Sequence, residues 1–191
     1  MLSVLMVDAC HKKPTPAPAP VQQGPNADSA AAARRRADSI AAAEAAARRR
    51  ADSIAAAEAA MRDAAARAAS ARTALTQMVH FDYDKSDLRP EDRAILDAKV
   101  PILQANADVK IRIAGHTDER GSDEYNLALG QRRAAAAKEY LVQRGISDSR
   151  IETVSYGEER PIAQGSDETA YAQNRRDEFE ITAGPQTLKT P

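Results

Sequence analysis

The chain has 191 residues, a formal net charge of −1 at pH 7 and one cysteine. That length holds one ordinary domain with appendages, and the near-neutral balance excludes a protein that grips nucleic acid by bulk charge. A lone cysteine excludes an internal disulfide and any multi-cysteine metal site.

Large side chains and turn formers are concentrated late in the chain. All seven aromatic residues lie between Phe81 and Phe179, and seven of the eight glycines lie at or beyond Gly115. A core needs the first and its turns need the second, so a globular domain is predicted over residues 77–183. Residues 1–76 read as tether, and residues 184–191 as a disordered tail.

The tether begins with an apolar run, Met1 to Val7, that ends in Asp8-Ala9-Cys10. Val7-Asp8-Ala9-Cys10 resembles a bacterial lipobox, in which a small residue precedes the cysteine that carries the lipid. Asp8 departs from that motif, and nine residues are few for a signal. Residues 1–10 are therefore expected to be the end of a longer lipoprotein signal, with Cys10 the lipidated mature N-terminus. No run of about 20 apolar residues is present to span a bilayer as a helix.

Residues 11–28 form a Pro-rich linker predicted to be disordered. Five of the ten prolines fall between Pro14 and Pro25, and such a stretch favours an extended, semi-rigid spacer. Residues 29–76 are predicted as one helix. Residues 33–46 and 47–60 are the same fourteen letters, rich in Ala, Arg and Glu, and no Gly or Pro interrupts the chain between Asp28 and Pro90. Asp28 or Ser29 is placed to cap it, and Glu44 with Arg48 and Glu58 with Arg62 have the spacing of helical ion pairs. At 1.5 Å per residue the helix would reach on the order of 70 Å.

Ala33, Ile40, Ala47, Ile54, Met61, Ala68 and Leu75 recur every seven residues. A second apolar column is broken by Glu44 and Glu58 or by Arg36 and Arg50, so a solvated single helix is expected over a coiled coil. The surplus of arginine on this helix is read as a solvated face.

From Gln77 the pattern changes. Met78 to Tyr83 alternates as a strand, and Asp84 to Arg89 is a polar loop. Pro90 opens a helix that carries Ile95, Leu96, Val100 and Leu103 inward, with Pro101 a candidate kink. Val109, Ile111 and Ile113 alternate as a strand ending at Gly115. A long helix follows, its apolar stripe read as Leu127, Ala134, Ala137 and Leu141, and Gly145 stops it. Ile151, Thr153 and Ser155 make a strand that turns at Gly157. A short helix near Glu168–Asn174 leads to a last strand with Phe179 and Ile181 inward. The predicted class is α+β, a β-α-β-α-β-α-β sandwich with helices on one sheet.

Several segments of this domain resemble one family. They are Phe81-Asp82-Tyr83-Asp84-Lys85, Gly115-His116-Thr117-Asp118-Glu119-Arg120-Gly121, and Glu124 through Ala134. Ser155-Tyr156-Gly157-Glu158 and Asn174-Arg175-Arg176 complete the set, in order. Together they resemble the OmpA-like peptidoglycan-binding family, and their spelling is similar to its peptidoglycan-associated lipoprotein branch. Tyr171 stands where that branch usually has tryptophan, and the repeat helix lies outside the family pattern.

The resemblance implies a ligand, the diaminopimelate residue of a peptidoglycan stem, which carries an ammonium beside a carboxylate. It assigns Asp118 to the ammonium and Arg133 to the carboxylate, for which the forked guanidinium is suited. Thr117, Arg120, Asn126 and Leu127 are implied neighbours, with Phe81 and Asp82 as one wall. The residues alone leave open an ordinary ion pair between Asp118 and Arg133. Arg175 and Arg176 are read as ties for the last strand or as a solvated edge, and His116 as satisfying a strand end.

Further implications of the resemblance are a lipid-anchored place at the periplasmic face of the outer membrane, the Tol system protein TolB and other Tol proteins as partners, and a role in envelope integrity and constriction during division. Two alternatives stand beside it, a wall anchor without a Tol role and an oligomerising helical scaffold. Enzyme chemistry is not expected. His11, His80 and His116 are scattered, no G-x-S-x-G elbow exists, and neither a metal nor a cofactor is implied.

Overall fold

Alanine-rich sequence dictates the first element. The structure, a computed structural model that describes residues 27–190, has helix α1 from Ala27 to Thr76. The expectations for Cys10 and the Pro-rich linker fall outside the described residues. The chain divides into two units, residues 1–54 and 55–191.

In the first unit every residue from Asp28 onward is exposed, so local propensity rather than burial selects the helix there. Asp28 lies inside the first turn instead of capping it. The two repeat copies behave alike: Ser39 Oγ donates to the Arg36 carbonyl and Ser53 Oγ to that of Arg50, both at 2.9 Å. In the second unit Arg62 Nε donates to the backbone carbonyl of Glu58 at 3.4 Å rather than to its carboxylate.

The second unit contains the predicted sandwich. Strand β1 is Val79–His80, α2 is Pro90–Ala105, β2 is Lys110–His116 and α3 is Asp123–Gln143. Then follow β3 (Ile151–Gly157), α4 (Glu168–Asn174) and β4 (Arg176–Ala183). The sheet order is β1-β4-β2-β3, with β4 antiparallel to both β1 and β2, and β2 parallel to β3. The last strand is thus inserted between the first two. One face bears Arg112, bridged at 3.2 Å to Glu152 and to Glu180 on the flanking strands. Over the other, Leu96, Ile102 and Leu103 of α2 and Ala134, Ala137 and Leu141 of α3 pack on Ile111, Ile113 and Phe179. Ala71 and Leu75 of α1 join this core.

Three expectations need correction. The first strand is two residues long rather than six, because Asp84 takes a left-handed turn (φ 55°) and Lys85 N–H closes on the Asp82 carbonyl at 3.2 Å. Leu127 is 39% exposed and is not part of the α3 stripe. That stripe runs through Asn126, Leu129, Gly130, Arg133, Ala134, Ala137 and Leu141. The tail is laid against the domain instead of being disordered. Leu188 is buried, and the Asn106 amide brackets Lys189, accepting from its N–H and donating to its carbonyl, each at 2.8 Å.

The C-terminal end of β2 is buried against α3, and the approach at Gly130 is unusually close. A Cβ at Gly115 would lie 1.9 Å from the Gly130 carbonyl oxygen.

Candidate functional site

Strand β2 delivers Asp118 two residues past its end, into a loop beside the start of β4. The register that pairs Gly115 with Asp177 places Arg175 next to that loop. Asp118 is buried (4% exposed) and does not pair with Arg133. Its Oδ2 accepts from Arg120 Nη2 at 2.6 Å and from Arg175 Nη1 at 3.1 Å, and its Oδ1 accepts from Arg120 Nε and the Arg120 backbone N–H, both at 3.2 Å. Burial pushes the carboxyl up, but the bonds from the two arginines outweigh this and hold it below the usual carboxylate range.

The two arginines differ in their surroundings. Arg175 is 7% exposed and bonds three groups: Asp118, the Phe81 carbonyl at 3.0 Å and Glu168 at 2.7 Å. The Arg120 side chain is 32% exposed. Its guanidinium lies between two rings, 3.9 Å from the centroid of Tyr83 and 4.4 Å from that of Tyr171. A second, longer ion contact runs to Glu168 at 3.5 Å.

Arg133, assigned by the resemblance to the ligand carboxylate, is fully buried. Nε donates to the Lys85 carbonyl at 2.8 Å, Nη1 to that of His116 at 2.8 Å and Nη2 to that of Asp82 at 3.1 Å. One guanidinium therefore ties the β1–α2 loop to the end of β2, above the buried Phe81 ring at 5.1 Å. Burial brings its pKa down to about 10, so it stays charged at neutral pH.

The other predicted residues are spread around this cluster. Phe81 is core and its N–H donates to the Arg175 carbonyl at 3.0 Å, while Asp82 contributes its own carbonyl to Arg133. Thr117 donates its N–H to Gly157 at 2.9 Å, and its hydroxyl is buried without a partner. The buried Asn126 amide donates to Glu158 at 2.5 Å. Leu127 is surface. Reasoning from sequence missed Tyr83, Tyr171 and Glu168 as the walls around Arg120, and undervalued Arg175. The Asn174-Arg175-Arg176 triplet was the available signal.

His116 stacks obliquely on Tyr156, ring centroids 5.5 Å apart. Neither ring nitrogen has a hydrogen-bond partner. Burial, reinforced by nearby Arg176, lowers its pKa to about 4. The imidazole is therefore neutral in the fold where the unfolded chain, with a pKa of 6.5, would bind a proton. Its stabilising contribution is complete above pH 6.5 and is lost as pH falls toward 4, by about 3 kcal/mol. Asp177, fully buried with its carboxyl raised well above the normal value, has the opposite dependence. Denaturation of wild type and His116→Gln at pH 7 and pH 4.5 isolates the histidine. The difference between the two proteins should shrink in acid by about 2–3 kcal/mol.

Among the described residues no cluster of three or more His, Cys, Asp or Glu is arranged to hold a metal ion. What the site offers is one buried carboxylate among guanidinium groups, under aromatic walls, with no nucleophile–base pair. Such an arrangement can bind a small group carrying both charges.

The sequence pattern of the OmpA family matches residues 80–175. The chain belongs to the OmpA family. Its OmpA domain is similar to the peptidoglycan-associated lipoprotein of Pseudomonas putida, 53% identical over 100 residues that cover 52% of this chain and 60% of that protein. The corresponding lipoprotein of Haemophilus influenzae is 51% identical over 98 residues, 51% of this chain and 64% of that one. The chain thus spans less than two thirds of the length of these relatives. Among solved structures, the peptidoglycan-associated lipoprotein from Burkholderia pseudomallei is 39% identical, covers 59% of this chain and 90% of its own, and superposes with a TM-score of 0.53. The C-terminal domain of Helicobacter pylori MotB, at 21% identity and a TM-score of 0.52, shares the fold. Asp118, Arg120, Arg133 and Arg175 all lie within the matched OmpA segment.

Proposed function

We propose that this OmpA domain binds the peptide stem of peptidoglycan without chemistry, and that the chain tethers the outer membrane to the wall through a lipid on Cys10. The observation that carries the reading is the buried Asp118 carboxylate held by Arg120 and Arg175, with Arg133 on the nearby His116 carbonyl. Diaminopimelate in a stem presents a free ammonium beside a free carboxylate, and this cluster has a complement for each. Thr117, Asn126, Leu127, Phe81 and Asp82 are the further residues this reading assigns to the neighbourhood of the ligand. The names of the relatives, peptidoglycan-associated lipoproteins, support the wall as target and the envelope as location.

Co-sedimentation of the full chain with diaminopimelate-type peptidoglycan tests this. Wild type should pellet with the wall. Asp118→Ala should remain soluble and folded, with affinity reduced at least about tenfold, the value of one charged hydrogen bond. Equal pelleting of the two would refute the site. Arg133→Ala should lower binding through lost stability, since three carbonyls lose their donor. Partnership with TolB and other Tol proteins is the finer part of the proposal, and pull-down by TolB that retains none of the chain would remove it. An oligomerising role has the exposed Ile40, Ile54 and Met61, spaced by multiples of seven, in its favour. A monomeric mass for the full chain in sedimentation equilibrium eliminates that role.

A further inference from the structure

The residues that interrupt a second apolar column along α1 form two rails of opposite charge. In the first unit Ile40 and Ile54 are each 58% exposed, and they alternate with Ala33 and Ala47 in a column that recurs every seven residues. Arg36 and Arg50 stand three residues after one member of that column and four before the next, whereas Glu44 stands four after and three before. At about 100° per residue, these offsets put the arginines roughly 50° to one side of the column and the glutamate roughly 50° to the other. Ala37, Ala43 and Ala51 hold the remaining flanking positions, so a second helix can approach the isoleucines closely. The second repeat copy spells the same order, with Glu58 on the glutamate rail, and Met61 continues the column at 73% exposure. Every residue of the first unit from Asp28 onward is exposed, so nothing in the chain covers this side of the helix there.

We infer that this face of α1 pairs with the same face of a second copy of the chain, the two helices running parallel. The rails choose both the occupant and its direction. In a parallel pair the two-fold axis runs along the helices, so the left flank of one meets the right flank of the other. Arg36 and Arg50 of one copy then face the glutamate rail of its partner. In an antiparallel pair like flanks meet, arginine against arginine and glutamate against glutamate. A polyanion would be drawn to one rail and repelled by the other, and an apolar surface would leave both unpaired. A second α1 satisfies both. The isoleucines supply the attraction and the rails supply direction, as flanking charges do in two-stranded coiled coils. The apolar seam is narrow, so a dissociation constant of about 10–100 μM is expected. The inference gives the oligomerising role a geometry and is independent of the peptidoglycan reading.

Sedimentation velocity of the full chain tests the pairing. Wild type should pass from monomer to dimer over that concentration range. Arg36→Glu combined with Arg50→Glu should weaken the dimer at least about tenfold, because it sets acid against acid. Glu44→Arg combined with Glu58→Arg should weaken it by a similar factor, with base against base. Mixing the two double variants should restore a heterodimer to within about threefold of wild type. All four changes exchange one strong helix former for another, so helicity by circular dichroism should be unchanged. Ile40→Gln combined with Ile54→Gln should be monomeric. A wild type that stays monomeric up to about 0.5 mM overturns the pairing and the oligomerising role together. A dimer indifferent to both charge reversals overturns the parallel pairing alone, since an antiparallel pair already sets like against like. Neither result bears on wall binding by the OmpA domain.

Discussion

Gly115→Ala is expected to be the most damaging single-methyl change in the domain, costing at or above the top of the usual overpacking range of about 1–3 kcal/mol. The added Cβ would lie 1.9 Å from the Gly130 carbonyl oxygen and 2.6 Å from its carbon. Both are backbone atoms of α3, so no rotamer change relieves the clash, and the helix must move off the sheet. That movement would break the stripe from Leu129 to Leu141 away from Ile111 and Ile113, and would shift Asp118 three residues on. The reciprocal Gly130→Ala meets the Ser155 hydroxyl at 2.3 Å and the Gly115 oxygen at 2.9 Å. A side chain can rotate, so the second variant should be milder. Urea midpoints of the two variants check the order. A Gly115→Ala protein within about 0.5 kcal/mol of wild type would show that α3 does not approach β2 this closely.

Lys99→Met is expected to lower stability by roughly 2–4 kcal/mol and to loosen the end of α1 selectively. Lys99 is fully buried, and its Nζ donates to the carbonyls of Ala74 and Leu75 at 2.8 Å and of Gln77 at 2.7 Å. It also lies 4.2 Å over the Phe179 ring. The last turn of α1 has no basic residue of its own, so α2 supplies the cation that the carbonyl end of a helix favours. Burial draws its pKa down to about 7; the ammonium donates to all three carbonyls, and a neutral amine would still donate to two of them. Methionine fills the volume and removes the donors, leaving buried carbonyls unpaired. Hydrogen exchange should then accelerate first at residues 71–76, ahead of β2 and β4. Uniform acceleration across the domain would mean that Lys99 supports the core as a whole rather than the helix end.

The candidate site shows how far residue pattern alone can reach. The position of Asp118 was readable, because the alternation of Val109, Ile111 and Ile113 ends at Gly115 and polar residues follow. Its partner was not. Arg133 is fifteen residues away on the next helix, while Arg175 is brought alongside only because β4 inserts between β1 and β2. The phase of α3 was misread for a related reason. Its buried face includes Asn126, Gly130 and Arg133, each inside for a specific contact that hydrophobicity does not register. Leu127, the apolar residue nearby, faces outward. Asp92 and Asp177 are likewise buried where acids are seldom found.

By itself the sequence determined the elements that depend on local physics. Uninterrupted alanine and arginine make α1, period-two alternation makes β2 and β3, Pro90 opens α2, and Gly145 follows the end of α3. It also determined the family, since five motifs in order survive without any knowledge of contacts. The tertiary structure decided which charges meet, how α3 is rotated, how closely Gly115 and Gly130 approach, and that Leu188 returns to the core. These depend on strand order and on long-range pairing of buried polar groups, where the cost of an unsatisfied donor or charge selects one partner among many that are equally distant in sequence.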